Sequence, residues 1–109
     1  MQTFVISRKK DGMFQFDFRN KKDQVILYGG TYTRKTMCIN GINSLQRNST
    51  NSKNFNKKTS LDKFFYFNIK SANGKVIAIS NFFEEREIRN DTIESVIANV
   101  EHALIRDLS

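Results

Sequence analysis

Phe14-Gln15-Phe16-Asp17-Phe18-Arg19 and, further along, Phe65-Tyr66-Phe67-Asn68-Ile69-Lys70 are the stretches whose reading decides the fold. In the first, three phenylalanines alternate with polar residues. In the second, Phe65, Phe67 and Ile69 hold the same places. A period of two marks a half-buried strand. The stretches coincide when the sequence is shifted by 51 residues without a gap. The same shift lays Phe4 on Phe55, Asp11 on Asp62, Val25-Ile26 on Val76-Ile77 and Tyr32 on Phe83. It also lays Ile42, Ser44 and Asn48 on Ile93, Ser95 and Asn99. The matches fall on apolar, turn and helix positions, as two copies of one packing plan require.

Outward from those strands, each copy reads as β-β-β-α. In copy one, residues 3–7 form a strand. Lys9-Lys10-Asp11-Gly12 is a turn whose Asp-Gly supplies positive φ. Residues 13–19 are the second strand, Asn20-Lys21-Lys22-Asp23 a turn, and residues 24–28 the third strand, broken by Gly29-Gly30. Thr33 is the expected N-cap of a helix carrying Met37, Cys38, Ile39, Ile42 and Leu45. A polar linker, residues 48–52, follows. In copy two the strands are expected at 55–59, 63–70 and 75–80, with a long last helix over 84–107. Glu84, Glu85 and Glu87 suit its first turns and Arg106 its end. Each copy alone leaves bare sheet edges. The expected fold is therefore α+β: two tandem β-β-β-α repeats, 1–50 and 51–109, forming one antiparallel sheet with both helices on one face. At 109 residues the chain is expected to be a single domain of this kind.

These residues resemble a known family. Phe14-Gln15-Phe16, Val25-Ile26, Tyr32 and Asn40-Gly41-Ile42-Asn43-Ser44-Leu45 carry the resemblance in copy one. Phe65-Tyr66-Phe67, Ser71-Ala72-Asn73-Gly74-Lys75-Val76-Ile77, Phe83 and Ile93-Glu94-Ser95-Val96 carry it in copy two. The chain resembles the short bacterial and archaeal repeat family known as DUF1508, or YegP-like (UPF0339), whose function is uncharacterised. The resemblance implies the tandem architecture, which single-repeat members reach by pairing. It implies no reaction, cofactor or catalytic residue. The chain departs from the pattern at Asp91-Thr92, where the helix Asn-Gly would stand, and at Asp23, where a turn glycine would stand.

Composition narrows the function classes. One cysteine, Cys38, excludes an intrachain disulfide and a cysteine-cluster zinc site. One histidine, His102, removes most metal and acid–base schemes. Cys38 reads as a helix cysteine packed as a small hydrophobe, and His102 as a solvent-facing residue late in the last helix. Glu84, Glu85, Glu87, Asp91 and Glu94 have no cation-loop spacing, and Gly29-Gly30 lacks the Walker pattern. No metal, cofactor or catalytic residue is expected, and no small-molecule substrate is evident. No apolar run approaches a membrane span, and the N-terminus turns polar too soon for a signal peptide. A cytoplasmic location follows as the default.

The formal charge is +7, and residues 1–50 hold nine Lys or Arg against three Asp. Residues 51–109 hold nine against eight acidic residues. The expected function is a small, non-catalytic protein-interaction module, with self-association one form of it. The alternative is a nucleic-acid-binding module using the open sheet face. Phe64 and Tyr66 would stack bases there. Lys9, Lys10, Arg19, Lys21, Lys22, Lys63 and Lys70 would hold phosphates.

Overall fold

The computed structural model describes residues 2–109. Its chain direction is set by four hairpin turns, each placing one residue in the left-handed region. These are Gly12 at φ 83°, Asp23 at 62°, Lys63 at 65° and Gly74 at 83°. The amide of each donates back three residues, to Lys9, Asn20, Ser60 and Ser71 respectively. The turns correspond in pairs between copies, so Asp23 and Lys63 hold a geometry that glycine holds elsewhere. Asp tolerates it better than Lys, because a short polar side chain can bond locally.

The turns connect β1 (Thr3–Arg8), β2 (Phe14–Arg19) and β3 (Val25–Tyr32) in copy one. In copy two they connect β4 (Phe55–Thr59), β5 (Phe65–Lys70) and β6 (Val76–Ser80). A helix follows each set, α1 over Lys35–Asn48 and α2 over Arg86–Asn99. A short strand, β7 (Leu104–Asp107), ends the chain. All strands join one seven-stranded sheet in the order β4-β5-β6-β3-β2-β1-β7.

The halves meet at β3 and β6, which pair antiparallel with Leu27 opposite Ser80, Tyr28 opposite Ile79 and Gly29 opposite Ala78. The repeat shift carries Tyr28 onto Ile79 and Leu27 onto Ala78. The register therefore obeys a pseudo-two-fold axis through the Tyr28–Ile79 pair. One core serves both halves. Phe4, Ile6, Phe16, Phe18, Leu27, Phe67 and Ile69 from the sheet meet Cys38, Ile42 and Leu45 of α1 and Ile93 and Val96 of α2. Both helices lie on that face, as the sequence predicts.

Three local expectations are corrected. Gly29-Gly30 do not break the third strand. They lie within β3, opposite Phe16, between the Asp17–Tyr28 and Gln15–Thr31 pairings, as a two-against-one bulge. The reason is packing: a Cβ at Gly29 would strike the Phe16 ring, with Cε1 at 2.6 Å. Thr33 is not a cap, because Arg34 precedes the first helical residue and no side chain caps α1.

The last helix does not reach 107. It stops at Asn99, passes through a 3-10 turn at Val100–His102 and becomes β7, which pairs parallel to β1. The sheet is therefore not purely antiparallel. The pseudo-two-fold explains this. Chain leaving α1 enters β4, so chain leaving α2 is delivered to β4's symmetry mate, β1, in β1's direction. β1 is already in place, and the tail pairs along its outer edge, where its Leu108 amide donates to the Ile6 carbonyl at 2.8 Å.

Candidate binding face

With both helices on one side, the other side of the sheet is bare. One row of residues crosses it strand by strand: Asn56, Asn68, Ile79, Tyr28, Asp17, Val5 and Arg106. The two halves of this face differ in kind.

The copy-one half is a closed charge network. Arg19 donates to Asp17 at 2.8 Å and to Asp23 at 3.4 Å, and Arg106 donates to Asp23 at 3.0 Å. Two guanidiniums and two carboxylates leave no net charge. The Arg106 hydrogen bond is the leading cause that holds the Asp23 carboxyl below its ordinary range. The hydrogen bond to Asp17 leads in raising Arg19 further.

The copy-two half is aromatic and aliphatic. Phe82 lies 4.8 Å from Tyr66 and stacks on Phe64 at 6.4 Å between centroids. Phe82 is 57% exposed and Ile79 44%, and across the seam Tyr28 of β3, in copy one, is 52% exposed. Beside them lies Asn68, buried, whose Oδ1 has no hydrogen-bond donor. Its repeat counterpart is Asp17, which holds Arg19. The counterpart of Arg19 is Lys70, which makes no ion pair among those found in the described residues. The substitution of an aspartate–arginine pair by asparagine and lysine thus leaves an unfilled acceptor in the middle of the face.

The sequence-predicted basic residues do not form one patch. Lys9 and Lys10 sit in the β1–β2 turn and Lys21 and Lys22 in the β2–β3 turn, at opposite ends of the sheet. Arg19 is occupied by two aspartates. Lys63 is in the β4–β5 turn rather than in the strand, next to Phe64. Tyr66, with Lys58 opposite it across the ladder, and Lys70 belong to the same half as the rings. Phe82 and Ile79 were missed in the sequence reading. Ile79 falls on the same face as Tyr66 only once the β5–β6 register is known, since a bulge between Ile69 and Lys70 shifts it.

The remaining candidates resolve simply. Cys38 is fully buried, and burial pushes its thiol up to about 11. Lys35, one turn from it, is engaged by Asp107 at 2.9 Å. His102 is exposed in the 3-10 turn, not in a helix, 3.9 Å from Glu101. Among the described residues no three His, Cys, Asp or Glu side chains cluster as metal ligands. No described helix is long and apolar enough to cross a membrane.

The fold and the two-copy register can be set against known proteins. The model for the domain of unknown function DUF1508 matches residues 9–55 and again 62–107. The chain belongs to the DUF1508 family. A UPF0339 protein of Acinetobacter baylyi is 34% identical over 106 residues, 97% of this chain and 96% of that one. The YegP protein of Escherichia coli K12 is 34% identical over 104 residues, 95% of this chain and 94% of its own. Among solved structures, the solution NMR structure of a Shewanella oneidensis UPF0339 protein superposes with a TM-score of 0.91 at 31% identity, covering 98% of this chain and 91% of that one. That of E. coli YegP, described as a protein of unknown function, gives 0.90 at 33%, covering 98% and 92%. DUF1508 membership bears out the family resemblance and the tandem α+β architecture.

Proposed function

We propose that this DUF1508 protein works by binding rather than catalysis, through the copy-two half of its open sheet face, and that its first partner is a second copy of itself. The observation that carries this is the cluster of exposed Phe64 and Phe82 with half-buried Tyr66, continued by exposed Ile79 and Tyr28. An apolar centre with charged residues only at its margin is the anatomy of a protein interface. Lys58, Lys63 and Lys70 would stay at the wet rim of a face-to-face pair. The neutral Asp17–Arg19–Asp23–Arg106 network would add no repulsion across the rest of it. A cytoplasmic location belongs to the same proposal.

The experiment is sedimentation equilibrium over a wide concentration range. The wild-type mass should rise above the 12.7 kDa of one chain. A Tyr66→Ser, Phe82→Ser double variant should stay at the single-chain mass. If the wild type also stays there throughout, self-association is wrong.

One observation favours a second reading. Stacked rings with lysines beside them can seat the bases of a single-stranded nucleic acid. The support is weaker, because Arg19 is neutralised and the basic turns of copy one are at opposite ends of the sheet. Fluorescence anisotropy against labelled single-stranded DNA, duplex DNA and RNA at low and near-physiological salt tests it. Steeply salt-dependent binding to a single strand, lost on Tyr66→Ser, would establish it. Flat curves at low salt would remove it.

A further inference from the structure

The pseudo-two-fold axis creates two equivalent strand slots, and the chain fills one. In the filled slot, β7 lies parallel to the outer edge of β1, with Thr3 opposite Leu104 through Ile6 opposite Asp107. The tail is anchored at the start of α1. There the Lys35 ammonium lies 5.9 Å from the Phe14 ring centroid and 2.9 Å from the Asp107 carboxylate.

The repeat shift carries β1 onto β4, Phe14 onto Phe65 and Lys35 onto Arg86. Arg86 stands over the Phe65 ring, 5.3 Å from its centroid, as Lys35 stands over Phe14. Yet no carboxylate pairs with it among the described residues. β4 is the terminal strand of the sheet, and no strand of the described residues pairs with its outer edge, although Arg89 of α2 donates to the Lys58 carbonyl at 3.2 Å. The burial follows suit. Phe4, Val5 and Ile6 on β1 are fully buried, whereas of their counterparts on β4 Phe55 and Asn56 are only half-buried and Lys57 is exposed.

We propose that the outer edge of β4 is a docking edge for an extended acidic segment of a partner protein. The segment runs parallel to β4, with a carboxylate on Arg86. The backbone of Phe55 and Lys57 takes the part that Phe4 and Ile6 play for β7, which is recognition by strand addition. Charge chooses the occupant. Lys53, Lys57, Lys58 and Arg86 outnumber Glu84, Glu85 and Glu87 around the edge, and all three lysines lie on or just before β4, so an incoming strand gains by being acidic. Lys57 and Lys58 also repel the β4 edge of a second copy, the usual guard against edge-to-edge pairing. The chain's own tail sequence is a poor occupant, since the aspartate that holds Arg106 has Gly74 as its counterpart. This edge shares only Lys58 with the rim of the open face, and neither proposal rests on the other.

The test is an NMR titration of the isotopically labelled full chain with the peptide acetyl-Leu-Ile-Glu-Asp-Leu-amide. Amide shifts are expected along 55–59 and at Arg86. Binding should be about tenfold weaker in Arg86→Ala, as for one lost charge-assisted contact. It should be absent for the same peptide with lysines at its two acidic places. Arg86 is exposed, and the spectrum itself reports that the variant is folded. Shifts confined to β1 and β7, shifts confined to the open face, equal affinity for Arg86→Ala, or no shifts at millimolar peptide would each overturn the proposal.

Discussion

Gly29→Ala and Gly30→Ala should move stability in opposite directions, although the two glycines are adjacent in one bulge. Within a strand, glycine to alanine ordinarily stabilises by roughly 0.5–1 kcal/mol, by removing unfolded-state freedom. At Gly30 that gain should survive. The nearest atom to an added Cβ is the Tyr32 hydroxyl at 3.5 Å, an ordinary contact. At Gly29 the added carbon would fall against the Phe16 ring, with Cε1 at 2.6 Å. Phe16 is itself pinned between Phe4 at 6.0 Å and Tyr32 at 6.2 Å. Overpacking of this kind costs about 1–3 kcal/mol. The net for Gly29→Ala is then a loss of about 1–2 kcal/mol, or about 5–10 °C in Tm for a domain of this size. Gly30→Ala should raise Tm by a few degrees. Differential scanning calorimetry reads both. A Phe16→Leu change in the Gly29→Ala background should cost less than it does in the wild type, the coupling expected of two residues in contact. If Gly29→Ala were as stable as Gly30→Ala, the packing account of the glycine pair would be refuted.

Lys63→Gly should stabilise the protein by about 1 kcal/mol, because Lys63 holds a left-handed conformation at φ 65° that glycine adopts without penalty. A chemical denaturation midpoint shows the gain, and no gain would mean the strain is absent. Acid should release β7 before the core. Asp107 is lowered to about 2, chiefly by hydrogen bonds from Ser109 and Lys35, and Asp23 is lowered by Arg106. Carboxylates lowered on folding contribute above their ordinary value of 3.8 and lose that contribution as pH falls toward 2. Protection factors at 104–108, taken against the intrinsic exchange rate at each pH, should therefore fall across that window while those of Leu27 and Phe67 hold. An equal loss of protection everywhere would show that the two aspartates do not anchor the tail. Cys38 should resist thiol reagents at neutral pH in the folded protein and react on unfolding, since burial holds it protonated with a value of about 11. Rapid labelling without denaturant would contradict its burial.

The strand assignments and the two-copy plan were legible because strict alternation and short turn motifs are local signals. The whole of β2 and β5 could be read from their phenylalanine rows. What escaped the sequence depends on tertiary symmetry. Val100, Leu104 and Ile105 fit a helical spacing, yet the last two belong to a strand. Only the vacant edge of β1, reached because α2 delivers the chain there, overrides the periodicity. Gly29-Gly30 read as a break because glycine is a common breaker. The fact that decides otherwise is the position of the Phe16 ring, a contact with another strand. At the candidate face, Phe64 and Tyr66 could be placed by alternation. Phe82 could not, since it follows β6 and is brought beside them by the Phe65–Phe83 bridge, a pairing between strands. The pairing of Arg19 with Asp17 and Asp23, which removes it from a basic surface, likewise needs the register of three strands.

The open face is tested most directly by NMR spectra of the labelled full chain recorded over a dilution series. Self-association through the aromatic half predicts that the resonances of Tyr28, Phe64, Tyr66, Asn68, Ile79 and Phe82 move together with concentration, while those of α1 and α2 stay fixed. Concentration-dependent shifts on the helical side, or none up to the millimolar range, would contradict it.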